Sequence, residues 1–172
     1  MKKLIMLFAM ALTISAFGQT RDDRAYLVKV GDKAPNFAMK LIDGKTMKLS
    51  DLRGKVVMLQ FTASWCSVCR KEMPFIEKDI WQKHKSNSNF ALLAIDRDEP
   101  LQTVVKFAKD IPVSYGFGLD PHADIFALYA VRDAGITRNV IIDKTGKIVF
   151  LTRLYDVEEF NKMTKVIDGM LR

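Results

Sequence analysis

The sequence predicts an α/β domain built on a mixed β-sheet with helices on both faces. Val56-Val57-Met58-Leu59-Gln60-Phe61 and Phe90-Ala91-Leu92-Leu93-Ala94-Ile95 are near-continuous apolar runs, the pattern of strands buried on both faces. After each run, apolar residues recur at three- and four-residue spacing, as in amphipathic helices. Val140-Ile141-Ile142-Asp143 and Ile148-Val149-Phe150-Leu151 flank Lys144-Thr145-Gly146-Lys147, a strand–turn–strand hairpin. The order strand, helix, strand, helix, hairpin, helix belongs to a mixed sheet covered by helices.

The individual elements read as follows. Met1-Lys2-Lys3, an apolar run from Leu4 to Leu12 and small residues at Ala16 and Gly18 form a secretory signal peptide over residues 1–18, cut before Gln19. The run is shorter than the ~20 residues that span a bilayer. Residues 19–29 are polar and mixed, a flexible lead-in to one domain over residues 30–172. Phe37, Met39 and Leu41 alternate with Ala38 and Lys40, Asp43-Gly44 signals a turn, and Met47 and Leu49 return, giving an added N-terminal β-hairpin. After the first buried run, Met73, Ile76, Ile80 and Trp81 mark a long helix that Pro74 should kink or break. Leu101, Val104, Val105 and Ala108 mark a second helix. A short strand is expected within residues 112–119, and Ile125, Leu128 and Tyr129 mark a third helix. Asp156 with Glu159 can cap a last helix whose buried face is Val157, Phe160, Met163, Ile167 and Met170.

The formal net charge is +7, of which Lys2 and Lys3 supply two, so removing the leader leaves +5. The other basic residues scatter without forming a stripe, and no nucleic-acid-binding module is visible, so nucleic acid is not an expected partner. Length and a hydrophobic content of 49% suit one domain with its own core.

The chemistry concentrates at Trp65-Cys66-Ser67-Val68-Cys69, which holds the only two cysteines, between a buried strand and a helix. A thiol at a helix N-terminus feels the partial positive charge of unpaired N–H groups, which favours thiolate. In an oxidising compartment the pair tends toward a disulfide. A bridge across two residues closes too short a loop to be a good staple and suits a reversible redox centre. Cys66 at the helix start receives most of the dipole and exposure. Cys69 is one turn inside, where burial raises its pKa. Glu72 falls on the same side of the helix as Cys69 and is placed to accept its proton, although an exposed carboxylate paired with Arg70 or Lys71 fits the sequence equally well.

Beyond this chemistry, several motifs carry a family resemblance. Gly31-Asp32-x-Ala34-Pro35-x-Phe37, Leu52-x-Gly54-Lys55-Val56-Val57, Trp65-Cys66-x-x-Cys69-x-x-Glu72-x-Pro74, and Ile142-Asp143 followed by Gly146-Lys147-Ile148 together resemble the exported TlpA/ResA-like thiol–disulfide oxidoreductases of the thioredoxin-like superfamily. The resemblance spans Val30 to the end and implies a thioredoxin-like fold. It implies that Cys66 is the exposed nucleophile, Cys69 the resolving thiol and Glu72 an influence on thiol ionisation, with Trp65 shielding the site. It also implies a periplasmic or otherwise exported reductase, monomeric and without cofactor. Such an enzyme acts on disulfide-bearing exported proteins and draws electrons from a membrane thiol–disulfide donor.

Three positions depart from the family pattern. Ser67-Val68 replaces the usual proline-containing pair between the cysteines, and Gln60 stands where thioredoxins carry a buried aspartate. Thr137 stands where the family has a cis-proline facing the cysteines. A non-proline cis bond costs ~3 kcal/mol, so a trans Ile136–Thr137 bond, or a cis bond held only under strain, is expected. The backbone of Ile136 and Thr137 can still pair with a substrate strand, and Arg138 is placed either to meet an acidic substrate group or to be a plain surface residue.

A peroxiredoxin-like thiol peroxidase is the nearest alternative. Its activating threonine would fall at Ala63, and its arginine would be imitated at a shifted position by Arg138. A non-catalytic metal- or protein-binding module is a further alternative. Zinc normally takes four ligands, and His84 and His122 lie far from the cysteines in sequence, so no metal is expected.

Overall fold

The apolar run that reads as a doubly buried strand forms β3 (Val56–Thr62), and every one of its residues is buried. The computed structural model describes residues 24–172. Around β3 lie β1 (Ala38–Leu41), β2 (Thr46–Lys48), β4 (Phe90–Arg97), β5 (Gly116–Asp120), β6 (Arg138–Ile142) and β7 (Ile148–Arg153). They form one seven-stranded mixed sheet in the order β2-β1-β5-β4-β3-β6-β7. Strands β3, β4 and β5 are parallel, while β6, β7 and the β1–β2 hairpin pair antiparallel.

The helices follow from this order. Helix α1 (Ser67–Ile76) joins β3 to β4, and α3 (Leu101–Asp110) joins β4 to β5. Both crossovers step the same way across the sheet, so right-handed connection puts both helices on one face. Val56 and Met58 of β3 therefore share a core with Met73, Ile76, Val104 and Phe107. Helix α5 (Val157–Met170) joins that face through Phe160, Met163 and Ile167. Val57, Leu59 and Phe61 point to the opposite face, covered by the short α4 (Phe126–Tyr129) and the N-terminal segment.

The structure corrects four expectations. Pro74 does not break the helix. It lacks the N–H that would bond the Arg70 carbonyl, yet α1 runs on to Ile76 and continues through a π turn over Glu77–Trp81 into a last α turn, α2 (Gln82–His84). This keeps Ile76 and Ile80 both buried. In α3 the buried face is Val104 and Phe107, with Leu101 exposed. In α5, Val157 is exposed because Asp156 is the N-cap, its carboxylate accepting from the Glu159 N–H at 2.8 Å. The first residue of that helix thus starts on the solvent side.

The fourth correction concerns the lead-in. The expected leader, residues 1–18, and residues 19–23 lie outside the described residues. From Arg24 onward the segment is docked on the domain. Leu27 N–H donates to the Tyr129 carbonyl at 2.9 Å and Val131 N–H to the Ala25 carbonyl at 3.0 Å. Tyr26 is buried, and its hydroxyl donates to the Thr152 carbonyl at 2.5 Å.

An aromatic ring so placed contributes core-like stability. Tyr26→Ala is expected to lower unfolding free energy by about 3 kcal/mol. Urea denaturation checks this, and a loss below about 1 kcal/mol would mean that the segment is not part of the folded core.

Candidate active site

The C-terminal end of β3 delivers the chain directly to the cysteines. Cys66 is the N-cap of α1, in extended backbone conformation, and its Sγ accepts the Cys69 N–H at 3.2 Å. That contact satisfies one of the orphan donors of the first turn, with sulfur in the place of the usual capping oxygen. Cys66 and Cys69 are joined in a disulfide with their Cα atoms 5.3 Å apart. Cys69 is fully buried, whereas Cys66 keeps 6% of its surface, less than the exposed position expected for a nucleophile.

The predicted site residues divide into those that meet the sulfurs and those that do not. Thr137 faces them from the loop before β6, with its Oγ1 3.2 Å from Cys66 Sγ and 3.3 Å from Cys69 Sγ. No peptide bond among the described residues is cis, so Ile136–Thr137 is trans. The Ile136 side chain is buried in the core. Trp65, next to the nucleophile position, is 60% exposed, with the Arg97 guanidinium 6.0 Å from its ring centroid. Most of its surface is open to solvent.

Arg138 is not a surface arginine. It is completely buried, donates from Nε to the Gly135 carbonyl at 2.9 Å and lies 4.4 Å from the Tyr26 ring centroid. Its Nε and Nη2 donate to the protein's own backbone, at the Gly135 and Arg24 carbonyls.

Glu72 is buried on α1, which rules out surface pairing with Arg70 or Lys71. Under it runs a polar row across three strands, set by register: Gln60 opposite Asn139, and Asn139 opposite Thr152. Asn139 Nδ2 donates to Glu72 Oε1 at 2.8 Å and to Thr152 Oγ1 at 2.9 Å, while the Tyr115 hydroxyl donates to Gln60 Oε1 at 2.9 Å. Burial pushes the Glu72 carboxyl up to about 7, with Asn139 and Gln60 pulling the other way.

The structure adds residues that sequence reasoning missed. Asn139, Thr152 and Tyr115 are polar positions within otherwise apolar segments, and that interruption is the only signal they leave. Glu99 grips the turn before Cys66, accepting from Ser64 N–H at 2.5 Å and Ser64 hydroxyl at 2.6 Å, while Arg70 Nε donates to the Ser64 carbonyl at 2.6 Å. Asp96, opposite Thr62 at the end of β4, is completely buried; desolvation first, then the neighbouring Glu99, raises its carboxyl to about 8. His84 Nε2 sits 2.6 Å from Asp168 at the far end of the α1–α2 helix. Among the described residues no three His, Cys, Asp or Glu side chains converge as a metal site.

The chain is similar to known thiol–disulfide oxidoreductases. The Redoxin family profile matches residues 29–167. The thiol–disulfide oxidoreductase ResA of Bacillus cereus is 34% identical over 122 residues, covering 71% of this chain and 68% of that protein. The solution structure of a Bacteroides thetaiotaomicron protein, named as a candidate protein disulfide isomerase, is 67% identical with a TM-score of 0.83, covering 86% of this chain and 92% of that one. The crystal structure of a candidate thiol:disulfide interchange protein DsbE from Chlorobium tepidum is 29% identical with a TM-score of 0.74, covering 84% and 99%.

The Glu72 shift carries a stability consequence. Its folded pKa of about 7 lies above the ordinary 4.5, so its contribution is fully present below pH 4.5 and is lost as pH rises through 7. Glu72→Gln should match the parent in stability at low pH and exceed it above neutrality by about 3 kcal/mol. Urea midpoints of the oxidised proteins across pH measure this, and parallel pH profiles for the two would contradict a buried ionising carboxyl.

Proposed function

The chain belongs to the Redoxin family, and on that premise we propose that it is an exported thiol–disulfide oxidoreductase that reduces disulfides in extracytoplasmic proteins through the Cys66–Cys69 couple. The observation that carries the proposal is the disulfide at the N-terminus of α1, with Cys66 Sγ capped by the Cys69 N–H. Once reduced, a Cys66 thiolate is favoured by that N–H and by the helix terminus.

The Cys66 thiolate attacks one sulfur of a substrate disulfide. A Cys66–substrate bond forms, the substrate S–S bond breaks, and the departing sulfur takes the electron pair. Cys69 gives its proton to Glu72, one turn along the same side of α1, and attacks Cys66 Sγ. The Cys66–Cys69 bond re-forms and the second substrate thiolate leaves, so two electrons pass from enzyme to substrate. A carboxyl poised near 7 suits a group that must take a proton from a buried thiol and give it up again. The exposed Trp65 face and the Ile136–Thr137 backbone flank Cys66 where a substrate segment would lie.

Completing the cycle needs a thiol donor, for which a membrane thiol–disulfide protein is the proposed source. The leader at residues 1–18 supports export to the periplasm or beyond, and the protein is proposed to act as a monomer. Two observations weigh against a peroxidase: Ala63 has no hydroxyl for peroxide, and Arg138 turns away from the sulfurs toward Tyr26.

Trapping tests this reading. Cys69→Ser should accumulate mixed disulfides with extracytoplasmic proteins, Cys66→Ser should not, and both should lose insulin reduction. The reduction potential should lie nearer about −270 mV than about −120 mV. Peroxide consumption outpacing disulfide reduction, or a potential at the oxidising end, would overturn the reductase reading.

A further inference from the structure

Thr137 Oγ1 is nearly equidistant from both sulfurs, 3.2 Å from Cys66 Sγ and 3.3 Å from Cys69 Sγ, and the residue is buried. A disulfide sulfur carries no hydrogen, so the hydroxyl is the donor in these contacts. We propose that Thr137 is a catalytic residue whose hydroxyl donates a hydrogen bond to whichever site cysteine carries negative charge during disulfide exchange. The inference rests on the exchange reading above and assigns a role within it that the backbone of the loop does not fill.

The geometry makes the role specific. Rotation about one C–O bond turns the hydrogen from one sulfur to the other while every heavy atom stays in place. A neutral disulfide sulfur accepts weakly, whereas a thiolate accepts in a charge-assisted bond about twice as strong as a neutral one. The interaction therefore strengthens when a site sulfur is a thiolate and relaxes when the disulfide closes, which raises the fraction of Cys66 present as the attacking thiolate. The Cys69 N–H supplies a second donor to Cys66, so that thiolate would sit between two hydrogen bonds. No proton leaves Thr137 at any stage; the electron pairs move only among the four sulfurs.

The hydroxyl is also held in advance. Thr137 is β-branched and stiff at its first side-chain torsion. Its carbonyl accepts the Leu154 N–H at 2.9 Å, Ile136 before it is buried in the core, and Arg138 after it is clamped by the Gly135 carbonyl and Tyr26. Charged groups around the sulfurs have other engagements. Arg70 and Glu99 hold Ser64, Arg97 donates to the Arg132 and Ala134 carbonyls, and Lys71 lies over Tyr155. Glu72 is bonded to Asn139 and Asp96 lies opposite Thr62. None of them contacts the Thr137 hydroxyl, so its removal isolates its effect.

The test is the pH profile of Cys66 alkylation, with thiolate absorbance as a second readout, in a Cys69→Ser background where one thiol remains. Thr137→Val should raise the midpoint by about one pH unit, a tenfold loss of thiolate below it. Thr137→Ser should restore the parent midpoint. Thr137→Ala removes the hydroxyl without adding bulk and should repeat the shift if the valine variant does not fold. A folded valine or alanine variant that titrates with the parent overturns the proposal and leaves the exchange reading intact. A parent thiol with an ordinary midpoint near ~8.5 would instead undermine the exchange reading itself.

Discussion

Strand β3 has hydrogen-bonded neighbours on both edges and a core on both faces, and the site depends on that fourfold confinement. With β4 parallel on one side and β6 antiparallel on the other, its register is fixed along seven residues. Because successive side chains alternate, a slip of one residue would exchange Val57, Leu59 and Phe61 for Val56, Met58 and Gln60 between the two cores. Gln60, the β3 member of the polar row under Glu72, would then face α4 and part from Asn139. The same register brings Phe61 opposite Arg138, so the loop carrying Thr137 enters the sheet beside the exit of β3 toward the cysteines. A rigid strand thus sets both the helix that carries the sulfurs and the hydroxyl that faces them.

The polar row shows how the fold tolerates a carboxyl inside an apolar layer. Burying an ionised carboxylate without partners is expensive, and proteins respond by shifting its pKa. Here Asn139 is held by Thr152 and donates to Glu72, which partly offsets desolvation and leaves the carboxyl near neutrality instead of far above it. A fully satisfied carboxylate would be too weak a base for a buried thiol, and an unsatisfied one would stay protonated. Asn139 and Gln60 together pull the carboxyl down against desolvation, which leaves it near 7.

Much of the architecture was legible because it rests on periodicity. The apolar runs of β3 and β4, the hairpin around Gly146 and the face of α5 are local patterns, and the Cys-x-x-Cys between strand and helix is a local motif. Thr137 opposite the cysteines was legible only through the family resemblance, which puts a loop proline facing the sulfurs at that position. What could not be read depends on pairs distant in sequence. An arginine is seldom fully buried, and nothing near Arg138 announces that Tyr26, from a segment that reads as a loose lead-in, will close over it. Glu99 and Ser64 meet only because β4 and β3 end side by side. Of the kink or break expected at Pro74, the break does not occur: the helix runs through it and continues by a π turn, with Ile76 and Ile80 buried on either side.

The buried arginine then acquires a structural purpose. A loop that faces two sulfurs must hold its shape while one of them gains and loses charge. Proline would supply stiffness through its ring, at the expense of a side-chain donor. Thr137 supplies the donor but not the ring, so the stiffness has to come from outside the residue. It comes from both neighbours: Ile136 is anchored in the core, and Arg138 is fastened to the Gly135 carbonyl and covered by Tyr26, whose hydroxyl is tied to the Thr152 carbonyl on β7. The docked N-terminal segment is therefore part of what holds the loop that faces the sulfurs.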